Sequence, residues 1–294
     1  MKLDPILAIA DRDDPRQLAV RAALDLLPAS GRLRVAGFVH EPAADEPGVL
    51  SVRAAAALRR ALRADKRAWL ERHVAGLLPG GDRCGIEVVW TPDLVDWVVE
   101  AATRDGIGLV VKAGHRSEGL FYTPTDWRLL RACPAPVLIA GPRPRGRTHR
   151  ILATVDAGST DPVQTALNRK VLAAAAALRA ALGARVHAAY VVAVSAVARD
   201  MDLVDPAALE RRARTRLGPS LAALAGEFGI PAEDVLIQAG PPDRVLPAIA
   251  ARLKADIVVM GTVGRSGIAG KLLGNTAEQV LQRLRTSLLA VRPD

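Results

Sequence analysis

RILATVD, residues 150–156, decides the fold, because PILAIAD at residues 5–11 repeats it. Each copy is a short apolar run that ends in an aspartate. Each is followed closely by an Asp-Pro pair, at residues 14–15 and 161–162. Aspartate as the N-cap with proline as the first helical residue is a typical helix start. The sequence therefore predicts a buried strand followed by a helix, and it predicts this unit twice.

The rest of the chain continues the duplication. Second strands are predicted at 32–42 and 185–194, third strands at 85–90 and 234–240, fourth strands at 107–112 and 256–261, and fifth strands at 135–140 and 286–291. Long amphipathic helices are predicted at 51–77 and 206–228, and a P-D-x-V motif opens a third helix after each third strand. Strands that alternate with helices indicate an α/β fold with a parallel sheet covered on both faces. Pro247 fits poorly, since it should delay or kink its helix.

The duplication predicts two tandem Rossmann-like domains, at residues 1–141 and 149–294. The segment 142–148 between them is rich in Pro, Gly and Arg and is predicted to be a linker. Half of the residues are hydrophobic, but only 3% are aromatic. We therefore expect cores built from Ala, Val, Leu and Ile.

Composition argues against several classes of function. The net charge of +9 is spread over both repeats without a Lys/Arg run, so specific nucleic-acid binding is not expected. The two cysteines, Cys84 and Cys133, are not in CxxC spacing, which argues against a disulfide framework or a zinc site. The apolar run at residues 5–10 is too short for a signal peptide, and the Ala-rich run at 171–182 is too short to span a bilayer. We expect a cytoplasmic protein without a membrane partner.

A glycine-rich segment, GTVGRSGIAGKLLGN at residues 261–275, follows the fourth strand of the second repeat. In open parallel sheets, ligands bind beyond the carboxyl ends of the strands, where the strand order reverses. Glycines allow a backbone to approach a ligand, and free N–H groups at the start of the next helix favour phosphate. Arg265 and Lys271 would add positive charge. A glycine-rich connection without a ligand would show the same glycines, and Walker A and GxGxxG motifs are absent.

Gly261, Gly264 and Gly274 form the pattern G-x2-G-x9-G, followed by a small polar residue. This pattern resembles the nucleotide-binding signature of the universal stress protein family. The repeat of five strands and four helices resembles that family's domain, present here in two tandem copies. LLGNTAEQVL at 272–281 and FYTPTDWRLLRACPAPV at 121–137 resemble a tandem subtype. The resemblance implies strand order 3-2-1-4-5 in each domain.

The resemblance also implies a ligand, ATP or a related adenine nucleotide, with or without Mg²⁺. The aspartate that ends the first strand would contact adenosine, the backbone near the end of the second strand would contact adenine, and the glycine loop would hold ribose and phosphates. The binding residues implied in this way are Val155, Asp156, Val191, Val192, Gly261, Thr262, Gly264, Arg265, Gly274, Asn275 and Thr276. Many family members have Ser or Thr where Asn275 stands. Asparagine can still donate and accept hydrogen bonds, but it is bulkier.

The first repeat has lost this signature. Ala113 stands where Gly261 does, Arg116 stands where Gly264 does, and Thr123-Pro124 replaces Gly274-Asn275. Proline removes one of the N–H donors that a phosphate would use. We expect little or no nucleotide binding in this half. An unusual cluster of residues remains in this half: His115, Arg116, Tyr122, Asp126 and Trp127. We favour local packing for this cluster over a second binding site or a partner surface.

No constellation of residues for an efficient enzyme is found. Ser266 has no His or Cys partner at motif spacing, and the loop DAGSTDP at 156–162 does not match the PP-loop enzymes. The sequence therefore predicts a stress-response protein that binds a nucleotide as a non-enzymatic sensor or regulator. Two alternatives stay open: a nucleotide-independent scaffold or carrier of another small molecule, and a slow ATPase. The family pairs domains through edge strands, which implies an intramolecular pseudo-dimer and allows a homodimer.

Overall fold

The computed structural model describes residues 2–10, 16–80, 82–114, 124–141, 148–194, 204–262 and 275–293, and only the backbone of residues 275 and 276. The first repeat contains β1 (Ile6–Ile9), α1 (Leu18–Leu26), β2 (Leu33–Val39), α2 (Val52–Val74), β3 (Cys84–Trp90), α3 (Leu94–Arg104), β4 (Leu109–Ala113), α4 (Pro124–Ala132) and β5 (Val137–Ala140). The second contains β6 (Arg150–Thr154), α5 (Pro162–Leu182), β7 (Arg185–Ala193), α6 (Pro206–Glu227), β8 (Val235–Gly240), α7 (Pro242–Leu253), β9 (Ile257–Gly261), α8 (Asn275–Arg283) and β10 (Ser287–Val291).

Each repeat forms a parallel sheet in the order 3-2-1-4-5, which confirms the predicted fold class. In the first repeat, β1 lies between β2 and β4, with Ile6 paired to both Leu33 and Leu109. In the second, β6 lies between β7 and β9, with Ile151 paired to Val186 and Ile257. The two registers are equivalent, so the strands of one repeat can be matched to the other residue by residue.

The chain divides into two compact units that differ from the sequence repeats in one helix. One unit holds Leu3–Ala113 and Ala132–Ala140. The other holds Gly114–Arg131 and Gly141–Asp294, together with the first two residues. Helix α4, which the repeat assigns to the first domain, is thus grouped with the second unit. Within that unit the guanidinium of Arg131 pairs with the carboxylate of Glu278 on α8.

A local sequence signal, the Asp-Pro pair, explains where helix α5 begins. The Asp161 carboxylate accepts a hydrogen bond from the Val163 N–H at 2.9 Å, so the predicted Asp-Pro start of α5 is confirmed. The equivalent start of α1 at residues 14–15 lies outside the described residues. Helix α7 begins at Pro242 and contains Pro247, so of the two predicted effects, a delayed start or a kink, the delayed start does not occur.

The strands that carry the core are buried on both faces, as a parallel sheet between helices requires. All residues of β1, β4, β5 and β10 are buried. Both cysteines are free, Cys133 buried and Cys84 half-buried on β3. Among the residues that the structure describes, no helix is long and apolar enough to cross a membrane.

Candidate functional site

The carboxyl ends of β6, β7 and β9 bring several of the predicted binding residues together. Thr154 pairs with Ala189 and the Val155 N–H donates to the Ala189 carbonyl at 2.9 Å, a register that places Asp156 beside Val191. On the other side Ala153 pairs with Val259, which places Val155 beside Gly261. Strand order reverses between β6 and β9, because β7 and β8 continue one way from β6 while β9 and β10 continue the other. This is where a parallel sheet is expected to bind a ligand.

The backbone of Asp156 is held by a side chain from α5. The Asp156 N–H donates to Oδ1 of Asn168 at 2.9 Å, and Nδ2 of Asn168 donates to the Asp156 carbonyl at 2.9 Å. Nε2 of Gln164, one helical turn earlier, also donates to that Oδ1 at 3.3 Å. Asn168 is buried, so these bonds form away from bulk water, where they are worth most. Sequence analysis missed Asn168, although a polar residue on the apolar face of an Ala-rich helix was a usable signal.

The loop after β6 is compact around the Asp156 carboxylate. Its Oδ1 accepts a hydrogen bond from the Gly158 N–H at 3.2 Å, two residues further on. Gly158 lies against the hydroxyl of Tyr190, and a side chain on Gly158 would collide with it. Tyr190 is buried on β7. The loop can therefore lie close to the sheet because residue 158 has no side chain.

The first glycine of the motif is explained by packing. A Cβ on Gly261 would lie 2.6 Å from Cδ2 of Leu167, a fully buried residue of α5. The next residue, Thr262, is buried, and its N–H donates to the Val291 carbonyl of β10 at 3.0 Å. The Thr262 hydroxyl donates to the same carbonyl at 3.4 Å. Gly261 thus lets α5 pack closely on β9, and Thr262 is turned toward β10.

Most of the predicted phosphate loop lies outside the part of the chain that the structure describes. Gly264, Arg265 and Gly274 lie outside the described residues. The backbone shows that α8 begins at Asn275, while the side chains of Asn275 and Thr276 are also outside the described part. Within the described ranges there is no group of three or more His, Cys, Asp or Glu side chains that could hold a metal ion.

At the degraded motif of the first repeat, Ala113 is buried at the end of β4 and Pro124 is the first residue of α4. Asp126 is fully buried, and Trp127 has the Arg131 guanidinium 6.0 Å from its ring centroid. Asp126 and Trp127 are therefore part of the local packing. The other members of the predicted cluster, His115, Arg116 and Tyr122, lie outside the described residues. So does Asp11, the aspartate that ends the first apolar run.

A second feature that sequence analysis missed lies at the carboxyl ends of β2 and β3. The Asp45 carboxylate accepts from Trp90 Nε1 at 3.0 Å and lies 2.7 Å from His40 Nε2. Arg59 pairs with the same carboxylate and stacks on Trp90, 5.7 Å from the ring centroid. The indole hydrogen bond from Trp90 contributes most to holding the pKa of Asp45 below its usual value, and contacts with His40 and Arg59 add to it. We call these four residues the strand-end network.

The register shows what occupies the same positions in the second repeat. Since Leu33 matches Val186, His40 matches Ala193. Trp90 pairs with Val39, and the matching pair in the second repeat is Ala239 with Val192. Two large ring side chains in the first repeat therefore correspond to two alanines in the second. Val192 and Ala239 are half-buried and Ala193 is exposed, so this strand end is accessible from solvent.

A duplicated five-stranded parallel sheet, with polar residues held at the reversal point of one copy, defines a tandem Rossmann-like protein. The chain belongs to the universal stress protein family, whose model matches residues 2–141 and 148–292.

Relatives support this assignment over the whole chain. Universal stress protein E of Escherichia coli K12 is 32% identical over 296 residues, covering 98% of this chain and 94% of the relative. The Haemophilus influenzae homolog of universal stress protein E is 33% identical over 212 residues, covering 70% and 69%. A solved structure of a putative universal stress protein from Pseudomonas aeruginosa UCBPP-PA14 has a TM-score of 0.69 and 25% identity, covering 98% of this chain and 93% of that one.

Proposed function

We propose that the second repeat binds an adenine nucleotide at the carboxyl ends of β6, β7 and β9, and that the protein acts as a non-enzymatic regulator in a stress response. The observation that carries this proposal is Asp156, held at the reversal point of the sheet and beside Val191. A carboxylate there can accept hydrogen bonds from a ribose, and the backbone of Val191 and Val192 can pair with the polar edge of adenine.

Two further observations support a ligand of this size and charge. Beyond Val192 the strand end carries small residues, Ala193 and Gly240, paired across β7 and β8. The glycine-rich loop after β9 supplies Arg265 and Lys271, and α8 begins just after it. Backbone N–H groups at a helix start and nearby cations favour a phosphate chain. Bound nucleotide would then favour one arrangement of the loop that a partner protein reads.

The test is calorimetric titration of ATP into the purified protein and into two matched variants. Asp156→Ala removes the proposed adenosine contact, and Asp11→Ala removes the equivalent aspartate of the first repeat. We expect binding by the wild type and by Asp11→Ala, and an affinity at least about 10-fold weaker in Asp156→Ala, since hydrogen bonds to charged groups contribute about 1.5–3 kcal/mol. Gly264→Val should also weaken binding, by blocking close approach of the loop.

Other outcomes would point elsewhere. No affinity for ATP, ADP or AMP in the wild type would refute the proposal, and co-purified material other than nucleotide would favour the role of a carrier. Phosphate release that disappears in Gly264→Val would indicate a slow ATPase at this site. Equal losses in the Asp156 and Asp11 variants would contradict a site confined to the second repeat.

A further inference from the structure

Strand β3 lies at the edge of the first repeat's sheet, since among the strands that the structure describes it pairs with β2 alone. The Arg83 carbonyl accepts from the Leu33 N–H of β2 at 2.9 Å. Successive residues of a parallel strand direct their backbone groups to opposite sides, so the N–H and C=O groups of Ile86 and Val88 point away from β2. The strand, CGIEVVW, has one charged residue, Glu87. An apolar edge of this kind is a template for pairing with another strand.

Two arginines of α2 bind the outward carbonyls of β3. Nη2 of Arg63 donates to the Val88 carbonyl at 3.1 Å, and Nη2 of Arg67 donates to the Ile86 carbonyl at 3.5 Å. Four residues of a helix advance about 6 Å and two residues of a strand advance about 6.6 Å, so arginines one turn apart match alternate carbonyls of the strand. Glu71, on the next turn, also pairs with Arg67 at 3.4 Å. The outer edge of β3 is thus covered by two charged side chains.

The second repeat has one of these two contacts. Val88 corresponds to Ile237 in the register, and the Ile237 carbonyl accepts from Nη2 of Arg214 on α6 at 3.3 Å. Four residues further along α6, where α2 has Arg67, stands Gly218. Equivalent arginines at equivalent carbonyls show that the contact follows from the packing of this helix on the edge strand. The second arginine is particular to the first repeat.

We propose that Arg63 and Arg67 close the β3 edge to strand addition by a second copy of this chain. An incoming strand would pair with Ile86 and Val88, and it would have to displace both guanidinium groups from their carbonyls. A second copy is the relevant partner because every molecule presents the same edge, and two β3 strands can pair antiparallel about a twofold axis. This inference does not depend on nucleotide binding.

The first readout is the mass of the protein in solution, measured by analytical ultracentrifugation over a range of protein concentrations. Arg63→Met combined with Arg67→Met keeps an unbranched side chain and removes both donors. We expect this variant to self-associate at least about 10-fold more strongly than the wild type, since strand pairing no longer breaks two charge-assisted hydrogen bonds. The control is Arg60→Met combined with Arg72→Met, which removes the same charge from two exposed arginines of the same helix. It should behave as the wild type does.

The second readout locates the new contact. Hydrogen exchange of the Ile86 and Val88 amides is compared between the same proteins, because these N–H groups point away from β2 and become protected when a strand pairs with them. We expect exchange at least about 10-fold slower in the Arg63 and Arg67 double variant, at concentrations where it associates. In the control variant these amides should exchange as in the wild type.

Several outcomes would overturn the inference. A mass that stays equal to that of the wild type at every concentration would show that the two arginines do not guard the edge. Association that leaves the Ile86 and Val88 amides unprotected would place the contact elsewhere, and protection of these amides in the wild type would mean that the edge is already paired. If the double variant does not fold, the single variants Arg63→Met and Arg67→Met decide: association with protected amides in either supports the inference, and its absence in both contradicts it.

Discussion

The two repeats have the same sheet order and the same strand register, yet their carboxyl ends differ. In the second repeat the strand end carries Ala193 and Ala239, and Asn168 holds Asp156 at the reversal point. In the first repeat the corresponding strand end is filled by the network of His40, Asp45, Arg59 and Trp90. The strand end of the second repeat carries small side chains, and that of the first is filled by a hydrogen-bonded network.

This difference shows that two copies of one fold can carry different side chains at their strand ends without a change of strand order or register. The substituted residues lie at the ends of strands, where loops and side chains vary at little cost to the buried sheet. In the first repeat, the Asp45 carboxylate is contacted by three donors, and one of them, the Arg59 guanidinium, also stacks on Trp90. The proposed function therefore assigns nucleotide binding to the second repeat alone.

The largest effect is expected from transferring the ring side chains into the second repeat. Ala193→His combined with Ala239→Trp should fill the strand end and lower ATP affinity by at least about 10-fold, because a clash with the adenine site is difficult to relieve next to the sheet. Calorimetric titration measures the change. Ala248→His, at an exposed position of α7, is the control. Unchanged affinity in the double variant would mean that the adenine does not lie at this strand end.

A second, smaller effect tests the glycine that ends β9. Gly261 faces Leu167, while the matching residues of the first repeat are Ala113 and Val20, a pair of similar total volume. Gly261→Ala should destabilise the protein by about 1–3 kcal/mol through overpacking. Adding Leu167→Val should restore most of this loss, a coupling that a double-mutant cycle in urea measures. Additive losses would show that the two residues do not compensate each other.

The sequence predicted what depends on local pattern and repetition. Strand and helix order and the Asp161 cap follow from periodicity and from the Asp-Pro motif, while Asp156 and Val191 were implied by the resemblance to the family. It did not predict the partner of Asn168, because a polar residue within a helix reveals neither its neighbours nor its direction. The contact between Gly261 and Leu167 and the strand-end network join residues distant in sequence, and their geometry exists only once the sheet has formed.

The smallest effect concerns the amino ends of the strands, where the repeats also differ. His187 on β7 is buried with Nδ1 3.1 Å from Oδ1 of Asp234, a carboxylate that Arg185 also binds at 2.6 Å. Burial lowers the pKa of His187, Arg185 and Arg150 lower it further, and the Asp234 carboxylate opposes them. The matching residue of the first repeat is Arg34, which donates to Asp105 at 2.6 Å and carries a fixed charge.

The sign of the pH effect follows from the lowered pKa. Because the unfolded chain binds the proton more readily than the folded chain, the stability contributed by neutral His187 is present above about pH 6.5 and is lost as the pH falls below it. His187→Gln removes this titration, so its melting temperature should fall less than that of the wild type between pH 7.5 and 5.5, with a difference on the order of a few degrees. Parallel curves for the wild type and His187→Gln would mean that acid destabilises this protein through other groups.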